Sequence, residues 1–408
     1  MTSGRSRTAG GDRRRAVSSL LLPLAEASRR IERARIVRVA ETWVSPFDAV
    51  GLASARTLKA RRDEPSEDRA AMDGFAVRFR PGSANRAFRL RPGLVTPAAR
   101  ASPLALGEGV AIATGGRLPP GADAVVRKEW ARASGTEIRL RRDVRAGSDV
   151  HERGEDLERG TVILRAGEAI RPFHAALFTA QRIERVGVRR PRVVLVPIGD
   201  ELVPGRHGSG DRTPDTISPL IERLTPGPIY SRLPAVRDRA DALRRTLARA
   251  SRGADLIVTI GGTSVGERDI TKPVVAALGR LEVPGVRVNV LKRGGFGLIG
   301  RVPVVLLPGQ VISAVTTWCE HGLRVLARLT GASPPGPFSA RLTRPIANSH
   351  RMDSVYLFRV SEGSAEPLRW GVRLFSELAR ANAYGIVPHG ARWSKGSQLS
   401  LAWLGPRS

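Results

Sequence analysis

Apolar and polar positions alternate with different periods along the chain, and the changes of period divide it into regions. Residues 17–35 carry apolar side chains on one face and arginines on the other, which predicts an amphipathic helix behind a flexible tail at 1–15. Residues 45–150 hold short β-branched runs such as 109–113 and 122–126, punctuated by Gly and Pro, and read as a mainly β domain. A strand at 161–164 and a helix over 171–181, opened by Pro172, follow. From Arg190 the pattern becomes strand, helix, strand: strands at 192–196, 255–260 and 302–307, and helices at 217–224, 237–251, 270–278 and 311–329. Asp238 and Asp241 are expected in the first turn of the 237–251 helix, where carboxylates favour the dipole. This alternation predicts a three-layer α/β domain on a parallel sheet. The run ASPPGP at 332–337 is a linker, and the alternating runs at 355–360 and 398–403 beyond it fit a small β-barrel or sandwich.

The densest chemistry lies at 254–269, ADLIVTIGGTSVGERD. A strand with no helical spacing, as expected when both faces are covered, runs into Gly261 and Gly262, then Thr263, Ser264 and Gly266. Glycines let a backbone approach an anion closely, and free N–H groups and hydroxyls bind its oxygens. Asp269 follows, where a carboxylate can hold a divalent metal against that anion. Two other strand ends carry turns: Gly199-Asp200-Glu201 and Pro308-Gly309-Gln310. Alone, the first is as well explained by helix capping. Three such turns at successive strand ends define a crevice, where open α/β sheets bind ligands. A phosphorylated, pterin-like or nucleotide-like ligand is expected there.

Composition narrows the partners. The 408 residues, 41% of them hydrophobic, suffice for two to four domains with buried cores, and no apolar run is long enough to cross a bilayer. The single Cys319 excludes an internal disulfide framework, which fits a reducing cytoplasm. The net charge is +29, but only five of the 67 basic residues are Lys, and the arginines are spread along the whole chain. With no clustered basic face and no aromatic interleaving, nucleic acid is not the expected ligand, and a solvated Arg-rich surface is the expectation. Arg13-Arg14-Arg15 ahead of 16–24 faintly resembles a twin-arginine export signal, but the apolar stretch is short, Pro23 interrupts it and Glu26 follows closely, so a disordered tail leading into an amphipathic helix is the expectation.

A second cluster lies in the first half: Asp73 before Gly74 in AAMDGFAV, Thr114 in ATGGRLPPGADAVV, and Asp156 in GEDLERGTVILRAG. With RPRVVLVPIGDELVPG, DLIVTIGGTSVGERDIT, VVLLPGQ, SHRMDSVYLFRV and LFSELARANAYGIVP, these segments resemble, in order and over residues 18–404, the MoeA/gephyrin family of molybdopterin molybdenumtransferases. The resemblance implies a multidomain, elongated chain of class α/β plus β. Its parts would be a linker domain (16–44 and 151–188), a mainly β insertion domain (45–150), a three-layer α/β molybdopterin-binding domain (189–331) and a C-terminal small β-barrel (338–408). It implies insertion of molybdate into adenylylated molybdopterin with release of AMP, in a cytoplasmic homodimer that hands the product to an apo-molybdoenzyme. Asp73, Glu201, Asp238, Asp269 and Lys292 match catalytic positions, with Glu201 and Asp269 as ligands of Mg2+. Thr114, Gly199, Gly261, Gly262, Ser264, Gly266, Pro308 and Ser376 match the substrate-binding positions, and Arg293 is counted with them as a cation that could supply the missing lysine's charge from a different backbone position.

The chain departs from the family where the resemblance would place KPGKP: it reads Lys292-Arg293-Gly294-Gly295-Phe296, with Gly295 for the second lysine. LPGNP is Leu307-Pro308-Gly309-Gln310-Val311, DSN is Asp215-Thr216-Ile217, and the TGDEL threonine is Ile198. Two expectations follow: an active transferase in which Arg293 compensates, or a degenerate carrier or chaperone that binds molybdopterin without turning it over.

Overall fold

The structure, a computed structural model, describes residues 21–81, 86–99, 101–203, 213–263, 269–334, 336–370 and 375–405. The chain forms two compact units, one made of Met1–Arg56, Ala166–Ala175 and Arg185–Ser408, the other of Thr57–Arg165 and Ala176–Glu184.

The α/β part of the first unit is a six-stranded sheet. Its spatial order is Ile229–Arg232, Arg192–Pro197, Leu256–Ile260, Val302–Leu307, Gly295–Ile299, Arg280–Val283. The first four strands are parallel, and Gly295–Ile299 runs antiparallel to both its neighbours, Val302–Leu307 and Arg280–Val283. Leu256–Ile260 is buried at every position, as its β-branched run requires in a central strand. One face packs Leu256, Val258, Phe296 and Val305 against helix Leu24–Arg33 and the helices after residue 311. The other packs Ile257, Val304 and Leu306 against Leu243 and Leu247, one turn apart on helix Ala240–Ala250. Each such side chain contributes about 1.5–3 kcal/mol when fully buried.

Two expected helices change at their ends. The helix expected from 237 begins at Ala240, with Arg239 extended as its N-cap, so Asp238 stands outside the first turn and only Asp241 lies in it. The helix expected over 311–329 is α-helical at Val311–Thr317 and Leu323–Thr330, with a π-helical turn at Trp318–Gly322 between them. The cause is packing: the Trp318 ring lies on Gly322 where a Cβ would sit, and its Nε1 donates to Thr225 Oγ1 at 2.8 Å.

The C-terminal strands close into a five-stranded barrel. Phe338–Leu342 pairs with Ser364–Pro367 and Gln398–Trp403, Asp353–Ser361 pairs with Ser364–Pro367 and Ala383–Val387, and Ala383–Val387 completes the ring against Gln398–Trp403. Phe358, Ala365, Leu399 and Leu401 fill the inside. The short strand Val288–Asn289 extends it by pairing with Asp353 and Ser354, and Tyr384 Oη donates to Glu320 at 2.7 Å.

The second unit holds another six-stranded sheet, in the order Ala124–Arg127, Gly74–Val77, Glu108–Ile112, Ala87–Val95, Glu137–Leu140, Ala131–Ser134. Its two faces bury Ala76, Ile112 and Val125 on one side and Val77, Phe88 and Ile138 on the other. No helix among the described residues is long and apolar enough to cross a membrane.

Candidate functional site

The chain order of the α/β sheet reverses between Arg192–Pro197 and Leu256–Ile260, and a cleft of about 620 Å³ opens at the carboxyl ends of these strands and of Val302–Leu307. Such a switch point is where open α/β sheets place their ligands. The three turns that the sequence singles out converge there: Glu201 from the first, Gly261, Gly262 and Thr263 from the second, Pro308, Gly309 and Gln310 from the third.

The glycines are required by contact. Gly261 has φ +94° and its missing Cβ would collide with the Ile198 carbonyl; Gly262 has φ +64°, and a Cβ there would lie 2.5 Å from Thr271 Oγ1. The turn is tied down by Gly261 N–H donating to the Leu307 carbonyl at 2.9 Å and by Ile270 N–H donating to the Gly262 carbonyl at 3.1 Å. Gly199 makes room for a carboxylate: a Cβ on it would lie 2.6 Å from an oxygen of Glu201. Glu201 is exposed, and its carbonyl accepts the Thr213 N–H at 2.9 Å, which fixes the neck formed by the pairing of Leu202–Val203 with Thr213–Pro214. Ser264 and Gly266 lie outside the described residues.

Among the described residues, three carboxylates line the cleft: Glu201, Asp215 and Asp238. Asp238, freed from its helix, accepts the Asp200 N–H at 3.4 Å. Asp215 caps helix Ile217–Leu224, accepting the N–H groups of Ile217 and Ser218 at 3.2 and 3.0 Å. It was not among the expected site residues, although Asp215-Thr216 ahead of an apolar helix carries a cap signal.

Asp269 lies just ahead of helix Thr271–Leu278. It does not line the cleft, its Oδ2 lies 3.3 Å from Lys272 Nζ, and it accepts the Lys272 N–H as a cap for helix Thr271–Leu278. Burial pushes its carboxyl up from the usual range, and Lys272 opposes that. No three His, Cys, Asp or Glu side chains among the described residues come together as a metal site.

The segment after Leu291 sends one cation into the cleft. Arg293 lines it; Lys292 is half-buried and does not. Gly295 begins the fully buried strand Gly295–Ile299, and a Cβ on it would lie 2.6 Å from the Val283 carbonyl oxygen. The sheet therefore leaves no room for a lysine at 295.

Asp73 and Thr114 belong to the second unit and form a pair of their own. Thr114 donates to Asp73 Oδ1 through its backbone N–H at 2.7 Å and through its hydroxyl at 2.8 Å. These two bonds, the backbone one foremost, hold the Asp73 carboxyl below its usual range. Asp156 is in the same unit, its N–H donating to the Glu64 carbonyl at 3.0 Å. Ser376 is exposed on helix Phe375–Arg380 of the first unit and does not line the cleft.

Known proteins resemble this chain in sequence and fold. Residues 22–181 match the MoeA N-terminal region (domain I and II), and residues 194–328 match a family described as a probable molybdopterin binding domain. A putative molybdopterin biosynthesis protein of Methanocaldococcus jannaschii is 28% identical over 88% of this chain and 91% of its own length. Molybdopterin molybdenumtransferase 2 of Mycobacterium tuberculosis is 30% identical over 66% of this chain and 70% of its own length. The crystal structure of a molybdopterin biosynthesis MoeA protein from Pyrococcus horikoshii superposes with a TM-score of 0.78 over 94% of this chain and 100% of that one, at 23% identity, which makes the fold the same. With both halves of the chain matched in order, and a relative of that identity over that length, the chain belongs to the MoeA family of molybdopterin molybdenumtransferases.

Proposed function

We propose that the protein inserts molybdate into adenylylated molybdopterin and releases AMP, completing a molybdenum cofactor. The observation that carries this reading is the convergence of all three strand-end turns on one cleft at the switch point of the sheet, in a chain of this family. Several relatives, from Nostoc, Mycobacterium tuberculosis and Bacillus subtilis among others, are named molybdopterin molybdenumtransferase.

The residues divide the work by chemistry. Releasing AMP breaks a phosphoanhydride, so charge must be neutralised on the phosphate oxygens and a water must be positioned. The glycine backbone at Gly261 and Gly262 lets a bulky ligand approach the sheet end closely. Glu201 and Asp238 are exposed carboxylates on the cleft wall, suited to orient and deprotonate the attacking water. Arg293 is the cation on the opposite side of this charge balance. A hard cation such as Mg2+ is bound by one or two carboxylates together with substrate phosphates, and it would supply charge neutralisation on those phosphates. Glu201 fits such a role because it is exposed on the cleft; Asp269 does not, because Lys272 already takes its charge. Asp73 and Thr114, in the second unit, are offered as substrate contacts on the strength of family resemblance.

The same reading makes the protein a cytoplasmic homodimer that passes its product to an apo-molybdoenzyme. It is tested by incubating the purified protein with adenylylated molybdopterin, with and without molybdate and Mg2+, and following AMP. Molybdate-dependent AMP release is the expected result. Tight binding of the pterin without AMP would overturn it in favour of a carrier.

A further inference from the structure

We propose that Arg293 is the anion anchor of the cleft, the side chain that takes a tetrahedral oxyanion of the substrates through its planar guanidinium, and that Lys292 has no part in this contact. The inference deepens the transferase reading and rests on it for the identity of the substrates.

Three observations on the described residues carry it. Arg293 is the one cation among the described residues that line the cleft, facing a wall that carries Glu201, Asp215 and Asp238. None of these carboxylates forms an ion pair with it, and its Nε is buried with no hydrogen-bond partner. A buried, unpartnered N–H on a charged group costs free energy that a bound acceptor restores. The flanking positions are closed to any alternative. A Cβ on Gly294 would lie 2.5 Å from the Thr317 side chain, and one on Gly295 would lie 2.6 Å from the Val283 carbonyl oxygen. Lys292 points its backbone at Gly285 instead, where its carbonyl occupies the place of a Cβ, and it does not line the cleft. Of residues 292–295, Arg293 alone lines the cleft.

Arginine at this position selects by shape. Its fork gives two parallel N–H donors to two oxygens of one tetrahedral ion, which an ammonium, as a point charge, does not. The oxyanion has two sources in the reaction, molybdate and a phosphate of the adenylylated pterin. Both are tetrahedral, multiply charged oxyanions.

The test is calorimetric binding of molybdate alone and of inorganic phosphate alone to the full-length protein, the Arg293→Lys and Arg293→Ala variants, and Lys292→Ala, each checked for an unchanged melting temperature. Loss of a charge-assisted hydrogen bond predicts binding weaker by about ten- to a hundredfold in both Arg293 variants. Binding of molybdate but not phosphate assigns the anchor to the metal oxyanion; the reverse assigns it to the substrate phosphate. Binding that survives Arg293→Ala, or that is lost in Lys292→Ala alone, would overturn the proposal, as would a wild-type protein that binds neither ion. AMP release by the wild type is read separately, so failure of the anchor and failure of the transferase reading remain distinguishable.

Discussion

Lys272 holds Asp269 from two sides: its Nζ lies 3.3 Å from Oδ2, and its backbone N–H donates to Oδ1 at 3.3 Å. The carboxylate that follows the glycine turn is thus the start of a helix and the closing pair of a loop, since Thr263 and Asp269 also form an antiparallel bridge. Glu201, by contrast, is exposed on the cleft wall.

This gives a paired prediction. Glu201→Gln should raise the Mg2+ concentration needed for half-maximal AMP release by about tenfold or more, the scale of losing one charged ligand. Asp269→Asn should lower turnover by loosening the loop while leaving the Mg2+ requirement where it is. A Mg2+ titration on both variants decides, and a shift in Asp269→Asn would return that residue to the metal.

The second prediction concerns the altered lysine segment. The sequence invites the idea that a lysine at 295 would restore a lost charge. The structure puts that position inside the sheet, opposite Leu306 in the ladder and against the Val283 carbonyl. Gly295→Lys should therefore unfold the domain, and even Gly295→Ala should cost about 1–3 kcal/mol by overpacking. Urea denaturation midpoints measure this; an unchanged midpoint for Gly295→Ala would show that the strand can shift to make room.

A third prediction addresses Asp73. The Thr114 backbone N–H is the largest cause of its lowered carboxyl and the Thr114 hydroxyl the second. Thr114→Val removes only the hydroxyl. The Asp73 carboxyl should then move part of the way back toward the usual carboxylate range, as read by NMR titration of its side-chain carbonyl. No movement would mean that the backbone bond alone sets its acidity.

Much of the architecture was legible because local pattern and tertiary demand agree. Central parallel strands need near-continuous apolar runs rich in β-branched residues, and 192–197, 256–260 and 302–307 show them. The strand-end glycines were legible because left-handed backbone at Gly261 and Gly262 leaves few other choices. What was illegible depends on partners distant in sequence. Nothing around Lys292 reveals that Gly295 faces Val283 or that Lys292 misses the cleft. The π-helical turn at Trp318 arises from a ring packing on Gly322 and a bond to Thr225, 93 residues away in the chain. Asp238 was read as a first-turn residue because Asp241, three positions on, carries the same signal; only the tertiary cleft tells which of the two is left free. Barrel closure is equally non-local, resting on the pairing of Asp353–Ser361 with Ala383–Val387.

The π-helical turn also carries a titration that the fold must bear. His321 is fully buried in it, and no hydrogen bond of good geometry reaches either ring nitrogen. Burial pushes its imidazole down to about 4 from 6.5. Between those two values the unfolded chain binds a proton that the folded chain refuses, so the unfolded state is favoured as the pH drops. The contribution of a neutral His321 is complete above pH 6.5, declines as the pH falls toward 4, and is flat below that. Its full size is roughly 3 kcal/mol at 1.4 kcal/mol per unit. His321→Met keeps an apolar side chain of similar bulk and cannot titrate. Its stability should fall less steeply than that of the wild type between pH 6.5 and 4, while the two proteins keep a constant difference above pH 7. Unfolding midpoints in denaturant across that range measure the slope, and parallel curves for the two proteins would show that His321 takes up its proton without cost inside the fold.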